Sequence, residues 1–311
     1  MSALSVTLSI PANRRFLTLL VRSTNSTNDL VTSLNLHFKT SASKKGADKR
    51  LFLYSLFYLA CLTGSLHSID VQAAACPAIP IDETTEIRYI HDGDTIHLKD
   101  GRKLRLIGIN TPELARDNKP AEAFALDARQ ALESIFRYDS SIALVYGKND
   151  RDRYGRLLAH AYTGEGDNVQ LALLHQGYAR AITFPPNTRY TECYLEAETQ
   201  AICNKAGMWQ KTRPVDAAGL SSRDTGFQLV KGRVKDIKTN KKGTWINLED
   251  KLTVGIRTEN QALFDHETIK SYLNKSLTVR GWVNHGKYDT PYYMRVRHPG
   301  SLQLSSSLRC K

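Results

Sequence analysis

Apolar and polar positions alternate most clearly between Thr95 and Asn110, where T-I-H-L-K-D-G-R-K-L-R-L-I-G-I-N sets two short apolar runs around Asp100-Gly101. This pattern predicts a β-hairpin. Successive strand side chains point to opposite faces, so loop length decides which residues share the buried side. A strict two-residue turn puts Ile96 and Leu98 on the face of Arg105. A three-residue loop with Gly101 in the left-handed region aligns them with Leu104 and Leu106 instead, leaving Thr95, His97, Lys103 and Arg105 on the other face. The second arrangement gives a one-sided core and is the one predicted.

Downstream, residues 120–136 (PAEAFALDARQALESIF) carry apolar residues at helical spacing, with Pro120 suited to the first turn. Residues 142–146 and 157–162 read as strands, 169–175 as a helix stopped by Gly177, and 190–206 as a helix ended by Gly207. Residues 213–226 turn to small and polar residues and read as a linker. A second strand-rich unit, 227–306, follows, with strands at 227–237, 244–249, 252–257, 276–283 and 291–297 and a helix near 261–273. The fold class is mainly β with α (α+β). Five strands with a helix before the fourth resemble the order of an OB-fold of the nucleic-acid-binding kind.

Residues 1–75 read as a leader. The first 50 are rich in Ser, Thr and Asn with no sustained apolar period. A basic flank from Lys44 to Arg50, an apolar run at 51–63 and the Ala73-Ala74-Ala75 end make the pattern of a secretory signal peptide, so export is expected. The run is short for a membrane span, and His67 and Asp70 follow it closely. Organelle targeting through Arg14, Arg15 and Arg22 is the alternative, and Cys76 after Ala75 is a weak lipid-anchor signal.

Charge sharpens this division. The formal net charge is +12, yet residues 76–213 carry 18 Lys and Arg against 19 Asp and Glu, whereas 214–311 carry 17 against 9. The second unit therefore favours a polyanionic partner. Four cysteines follow the leader: Cys76, Cys193, Cys203 and Cys310. A helix over 190–206 holds Cys193 and Cys203 about 15 Å apart, beyond disulfide reach. Cys76 and Cys310 bracket the chain and are placed to join its ends, free packed thiols being the alternative. No C-x-x-C or Cys/His zinc spacing occurs, and His91, His97, His160 and His175 are scattered, as surface or packing residues are. Nothing in the chain calls for an obligate protein partner.

Candidate chemistry gathers at the ends of the first hairpin: Asp92, Asp94, Asn110, Thr111 and Glu113, with Arg105 between them. Hard cations such as Ca²⁺ take carboxylate, amide and carbonyl oxygens. Phosphodiester hydrolysis needs a cationic clamp on the phosphoryl oxygens and a carboxylate to activate water. Asp94 and Asn110 offer the ligands, Glu113 the base and Arg105 a fork for phosphate. The bland reading is a hairpin closed by turn-forming Asp and Asn.

Three ordered motifs, D-G-D-T at 92–95, R-L-I-G-I-N-T-P-E at 105–113 and D-R-Y-G-R at 152–156, are followed by Gln176-Gly177-Tyr178-Ala179 and, after a helix, Gly207-Met208-Trp209. On these residues, 84–210 resembles the thermonuclease (staphylococcal nuclease-like) family. The resemblance implies an OB barrel with helices at one end and a Ca²⁺-dependent nuclease acting on DNA and RNA, leaving a 5′-hydroxyl and a 3′-phosphate. It places Asp94, Asn110 and the Thr111 carbonyl on the ion with Asp92 behind them, Glu113 as the general base, and Arg156 beside Arg105 on the reacting phosphate. Asn110 stands where the family usually has aspartate, and Thr183-Phe184-Pro185-Pro186 occupies the loop that carries nucleotide-stacking tyrosines in the best-known member. Arg153 and Tyr154 are expected near the phosphate site.

In the second unit, Lys238, Lys241, Lys242, Arg280, Lys287, Arg295 and Arg297 are candidates to track a phosphate backbone, and Trp245, Trp282, Tyr292 and Tyr293 to stack bases. The competing reading for these aromatics is core packing. For the whole chain, the alternative to a nuclease is a non-catalytic nucleic-acid-binding protein with a decayed site, favoured by Asn110 alone.

Overall fold

The computed structural model describes residues 3–9, 16–22, 76, 80–115, 119–286, 290–306 and 310. The chain divides into two compact units, residues 1–69 and 70–311. Within the first, β1 (Ala3–Ser9) pairs antiparallel with β2 (Phe16–Arg22), Ala3 opposite Arg22 and Ser9 opposite Phe16. The alternation Leu4, Val6, Leu8 that underlies β1 is a period too short to register as an apolar pattern across 1–50. The expected apolar run of the leader, 51–63, lies outside the described residues, and among the described residues no helix is long and apolar enough to cross a membrane.

The second unit begins with a closed five-stranded barrel in the order β3 (Glu83–Ile90), β4 (Thr95–Leu98), β5 (Lys103–Leu106), β8 (Leu157–Tyr162), β7 (Ser141–Arg151). The β4–β5 hairpin has the predicted parity. Leu98 N–H donates to the Arg102 carbonyl, Gly101 has φ +91°, and Ile96 lies opposite Leu104. Only glycine reaches that φ without strain. Ile96, Leu98, Leu104 and Leu106 are all fully buried, each contributing about 1.5–3 kcal/mol through burial. Their register turns Thr95, His97, Lys103 and Arg105 to the opposite face.

Three helices pack onto this core through Leu132, Leu173, Leu174 and Tyr194: α1 (Ala125–Ile135), α2 (Val169–His175) and α3 (Thr191–Cys203). The first starts at Ala125 and not at Pro120, because Phe124 takes a left-handed φ of 69° that no preceding helical turn can adopt. A two-stranded ribbon, β6 (Ile109–Asn110) with β9 (Arg180–Ala181), extends the hairpin's second strand and carries Asn110 opposite Arg180.

Between barrel and helices lies His160, almost wholly buried. The Tyr194 hydroxyl donates to Asn168 Oδ1 (3.2 Å) and, its one proton so used, accepts from His160 Nδ1 (2.9 Å). Burial, helped by the charge of Arg189, pushes the imidazole pKa down to about 3. Between that value and the ordinary 6.5 the unfolded chain binds a proton that the native chain does not. Stability is therefore complete above about pH 6.5 and falls as pH drops towards 3, by about 2 kcal/mol at pH 5. His160→Asn, which keeps a donor for Tyr194, is expected to flatten the fall in Tm between neutral and acid pH. An acid slope equal to wild type would overturn this.

Residues 213–226, expected as a linker, are built into the fold. They form β10 (Val215–Asp216), parallel to the strand that follows, and bury Ala217 and Leu220 in a second core. That core fills a second ring of strands: β11 (Gly226–Asn240), β12 (Gly243–Leu248), β13 (Leu252–Arg257), β15 (Tyr292–Val296) and β14 (Ser276–His285), closed by β14 pairing back to β11. A short β16 (Leu302–Leu304) adds to β14. The expected helix over 261–273 is two shorter ones, α4 (Thr258–Gln261) and α5 (His266–Lys270), the second capped by Asp265.

The barrels meet through Ile182, Ala201, Met208 and Trp209 of the first against Phe227 and Leu229 of the second. Beside this apolar contact Arg280 pairs with Glu198, both fully buried. Two disulfides anchor on α3: Cys76–Cys193 and Cys203–Cys310. The expected Cys76–Cys310 pairing is thus replaced by one in which each terminal cysteine binds a different end of the same helix. The Cys76 sulfur is committed to Cys193, which removes the lipid-anchor reading.

Candidate active site

The outward face of the β4–β5 hairpin, the D-R-Y-G-R turn and the segment after β6 line a single cleft of about 1170 Å³. Asp92, Asp94, Arg105, Asn110, Glu113, Arg153, Tyr154 and Arg156 all border it. Asp94 is the buried hub. Its Oδ2 accepts from the Thr111 main-chain N–H (3.0 Å) and pairs with Arg105 Nη1 (2.8 Å), while Oδ1 accepts from the Thr95 hydroxyl (3.2 Å). The loop that presents it is held by Asp92, whose Oδ1 accepts from Asp94 N–H (3.0 Å). Glycine at 93 is required by space: a Cβ there would lie 2.9 Å from the Thr111 side chain.

Burial drives the Asp94 carboxyl up to about 6, with Arg105 pulling against it and the Asp92 charge adding to the rise. Glu113 stands at the mouth of the cleft, solvent-accessible yet walled closely enough to be partly desolvated. Desolvation, reinforced by Asp94, raises its carboxyl above the ordinary range; Arg105 and Arg156 pull it back. Asp152 organises the opposite wall. Its Oδ1 accepts from the N–H of Tyr154 (2.9 Å) and Arg156 (3.0 Å), and its Oδ2 fixes Arg156 Nε (2.7 Å). Arg153 and Arg156 lie over the exposed Tyr154 ring at 4.7 and 5.7 Å.

Among the described residues no three His, Cys, Asp or Glu side chains cluster as metal ligands. What does gather is one carboxylate (Asp94), one main-chain carbonyl (Thr111) and one amide (Asn110), whose Nδ2 donates to that carbonyl at 3.4 Å. This is an all-oxygen set once the amide is turned, and it fits a hard divalent cation.

Comparison with known proteins agrees with the geometry. The family model described as "Staphylococcal nuclease homologue" matches residues 103–211. A thermonuclease of Staphylococcus hyicus is 36% identical over 132 residues, covering 41% of this chain and 76% of the relative. A thermonuclease of Staphylococcus intermedius is 33% identical, covering 42% and 77%. Endonuclease YncB of Bacillus subtilis is 34% identical, covering 42% and 63%. The chain belongs to the staphylococcal nuclease family. It is accordingly a phosphodiester hydrolase, and its second barrel lies outside the matched region.

Several residues expected to bind nucleic acid in that second barrel make contacts within the protein. Arg280 is buried: Nη1 bonds Glu198 and the Ala181 carbonyl (3.3 Å), and Nη2 donates to Gln303 (2.8 Å). Arg295 pairs with Glu259, and Trp245 packs beside Tyr293, both away from the nuclease cleft. Tyr292 is core. Lys241 and Lys242 are exposed on the β11–β12 turn, also outside the cleft, and Lys287 is outside the described residues. His91 and His97, read as surface or packing residues, lie on the surface of the cleft, His97 stacked on Tyr89 at 4.2 Å. Phe184 lines it too; its signal was its place in the loop before Pro185-Pro186.

Proposed function

We propose that this nuclease is an exported, Ca²⁺-dependent enzyme that hydrolyses phosphodiester bonds in both DNA and RNA. The observation that carries the reading is the convergence of Asp94, Arg105, Glu113 and Arg156 on one cleft, with Glu113 feeling the charges of the other three. Glu113 takes the proton of a water molecule as it attacks phosphorus in line with the leaving oxygen. Arg105 and Arg156, held by Asp94 and Asp152, donate to the non-bridging oxygens as their charge grows; no reorganisation is needed because both guanidinium groups are already fixed. Asp94, the Thr111 carbonyl and the Asn110 amide would hold the cation, with a half-turn of the amide presenting oxygen. Bound there, it would supply Lewis-acid polarisation of the phosphate.

Export is supported by the leader pattern and by the two disulfides, which persist in oxidising compartments. Digestion of plasmid and of RNA with Ca²⁺, and again with chelator, is the test. Cleavage of both that chelator abolishes is expected. No cleavage under either condition would favour the second reading, a binding protein whose site has decayed at Asn110.

A further inference from the structure

Among the cleft's lining residues one belongs to the second barrel: Trp282, on β14. Its indole is backed edge-on by Phe227, its cross-strand neighbour, at 5.0 Å and 77°. Its other neighbour is Phe184 of the first barrel, offset and nearly parallel at 5.8 Å and 23°. Both rings stay open to solvent, 37% and 42% exposed, although packing them fully against each other would remove that surface from water. Arg297, also of the second barrel, sets its guanidinium 5.1 Å from the Phe184 ring. An exposed aromatic step with a cation beside it thus lines the same cleft as Arg105 and Arg156.

Flat apolar rings next to phosphate-binding cations match one ligand chemistry closely: a base joined to a phosphodiester. In a duplex the faces of the bases are covered by their neighbours, so an unpaired strand is the form whose face is free to dock. We propose that Trp282, with Phe184, forms a shelf shared by the two barrels on which a base of a single-stranded substrate stacks while the adjoining phosphate lies between Arg105 and Arg156. The second barrel then completes the substrate site of the first. This rests on the cleft being the nuclease site.

The test is binding, read without turnover. A labelled single-stranded oligodeoxythymidylate and an abasic strand of equal length are titrated into Glu113→Gln and into Glu113→Gln carrying Trp282→Ala. The parent should prefer the base-bearing strand, and Trp282→Ala should weaken binding of that strand by between about fivefold and about a hundredfold, the range for one base on an aromatic side chain. The preference over the abasic strand should collapse with it, and Trp282→Phe should restore most of it. A parent without preference, a preference that survives Trp282→Ala, or an equal loss on both strands would overturn the proposal. Because affinity is the readout, a negative plasmid digestion would fell the catalytic reading without deciding this one.

Discussion

Glu113→Gln is expected to lower turnover by about three orders of magnitude while leaving the fold and the affinity for nucleic acid close to wild type. The amide keeps the shape of the carboxyl but cannot accept a proton from the attacking water, and general base catalysis supplies about 10²–10⁴-fold in rate. Glu113 lies at the open mouth of the cleft, so little packing depends on it. Single-turnover cleavage of a labelled oligonucleotide with Ca²⁺, alongside circular dichroism, measures both halves of the expectation. Activity within tenfold of wild type would remove Glu113 from the role of base.

The second large effect concerns stability. Arg280→Ala is expected to destabilise the second unit by about 3–5 kcal/mol, read from urea unfolding, because it strands a buried carboxylate. Glu198 is fully buried and accepts from Ala181 N–H (3.0 Å) as well as from Arg280. Replacing both partners, Arg280→Met with Glu198→Leu, should recover much of the loss, since well-packed apolar groups avoid the cost of desolvating two charges. The single variant should also lower activity beyond its loss of folded protein. Ala181 sits on β9, whose partner β6 carries Asn110, so the ion pair supports the ribbon that frames the cleft. A single variant as stable as wild type would show that the pair is not holding the barrels together.

The gathering of the candidate residues in one cleft was legible because most of them are local in the chain. Asp94, Arg105, Asn110 and Glu113 sit within one hairpin and its exit, and a period of two together with one glycine was enough to place Arg105 on the face opposite Leu104 and Leu106. Arg156 followed from its own five-residue turn, closed by Asp152. The second barrel's strands were equally legible from alternation. Which of its candidate side chains reach the cleft was not, because alternation says which residues leave a strand on the same side but not what waits there. Arg280 and Trp282 are two apart on β14; one is buried against Glu198, and the other opens into the cleft. Only docking of the two barrels separates them. The disulfides were hidden for a related reason. Helical spacing correctly kept Cys193 and Cys203 apart, but which distant cysteine each would meet depended on where α3 lies between the barrels.

That helix also divides the molecule topologically. One covalent ring, from Cys76 to Cys193, encloses all five strands of the first barrel; another, from Cys203 to Cys310, encloses those of the second. Between Cys76 and Cys310, the stretch of chain outside both rings is the interior of α3. Tension applied between residues 76 and 310 would be borne by those few helical turns alone, and neither barrel could be unravelled by pulling on the ends of the chain.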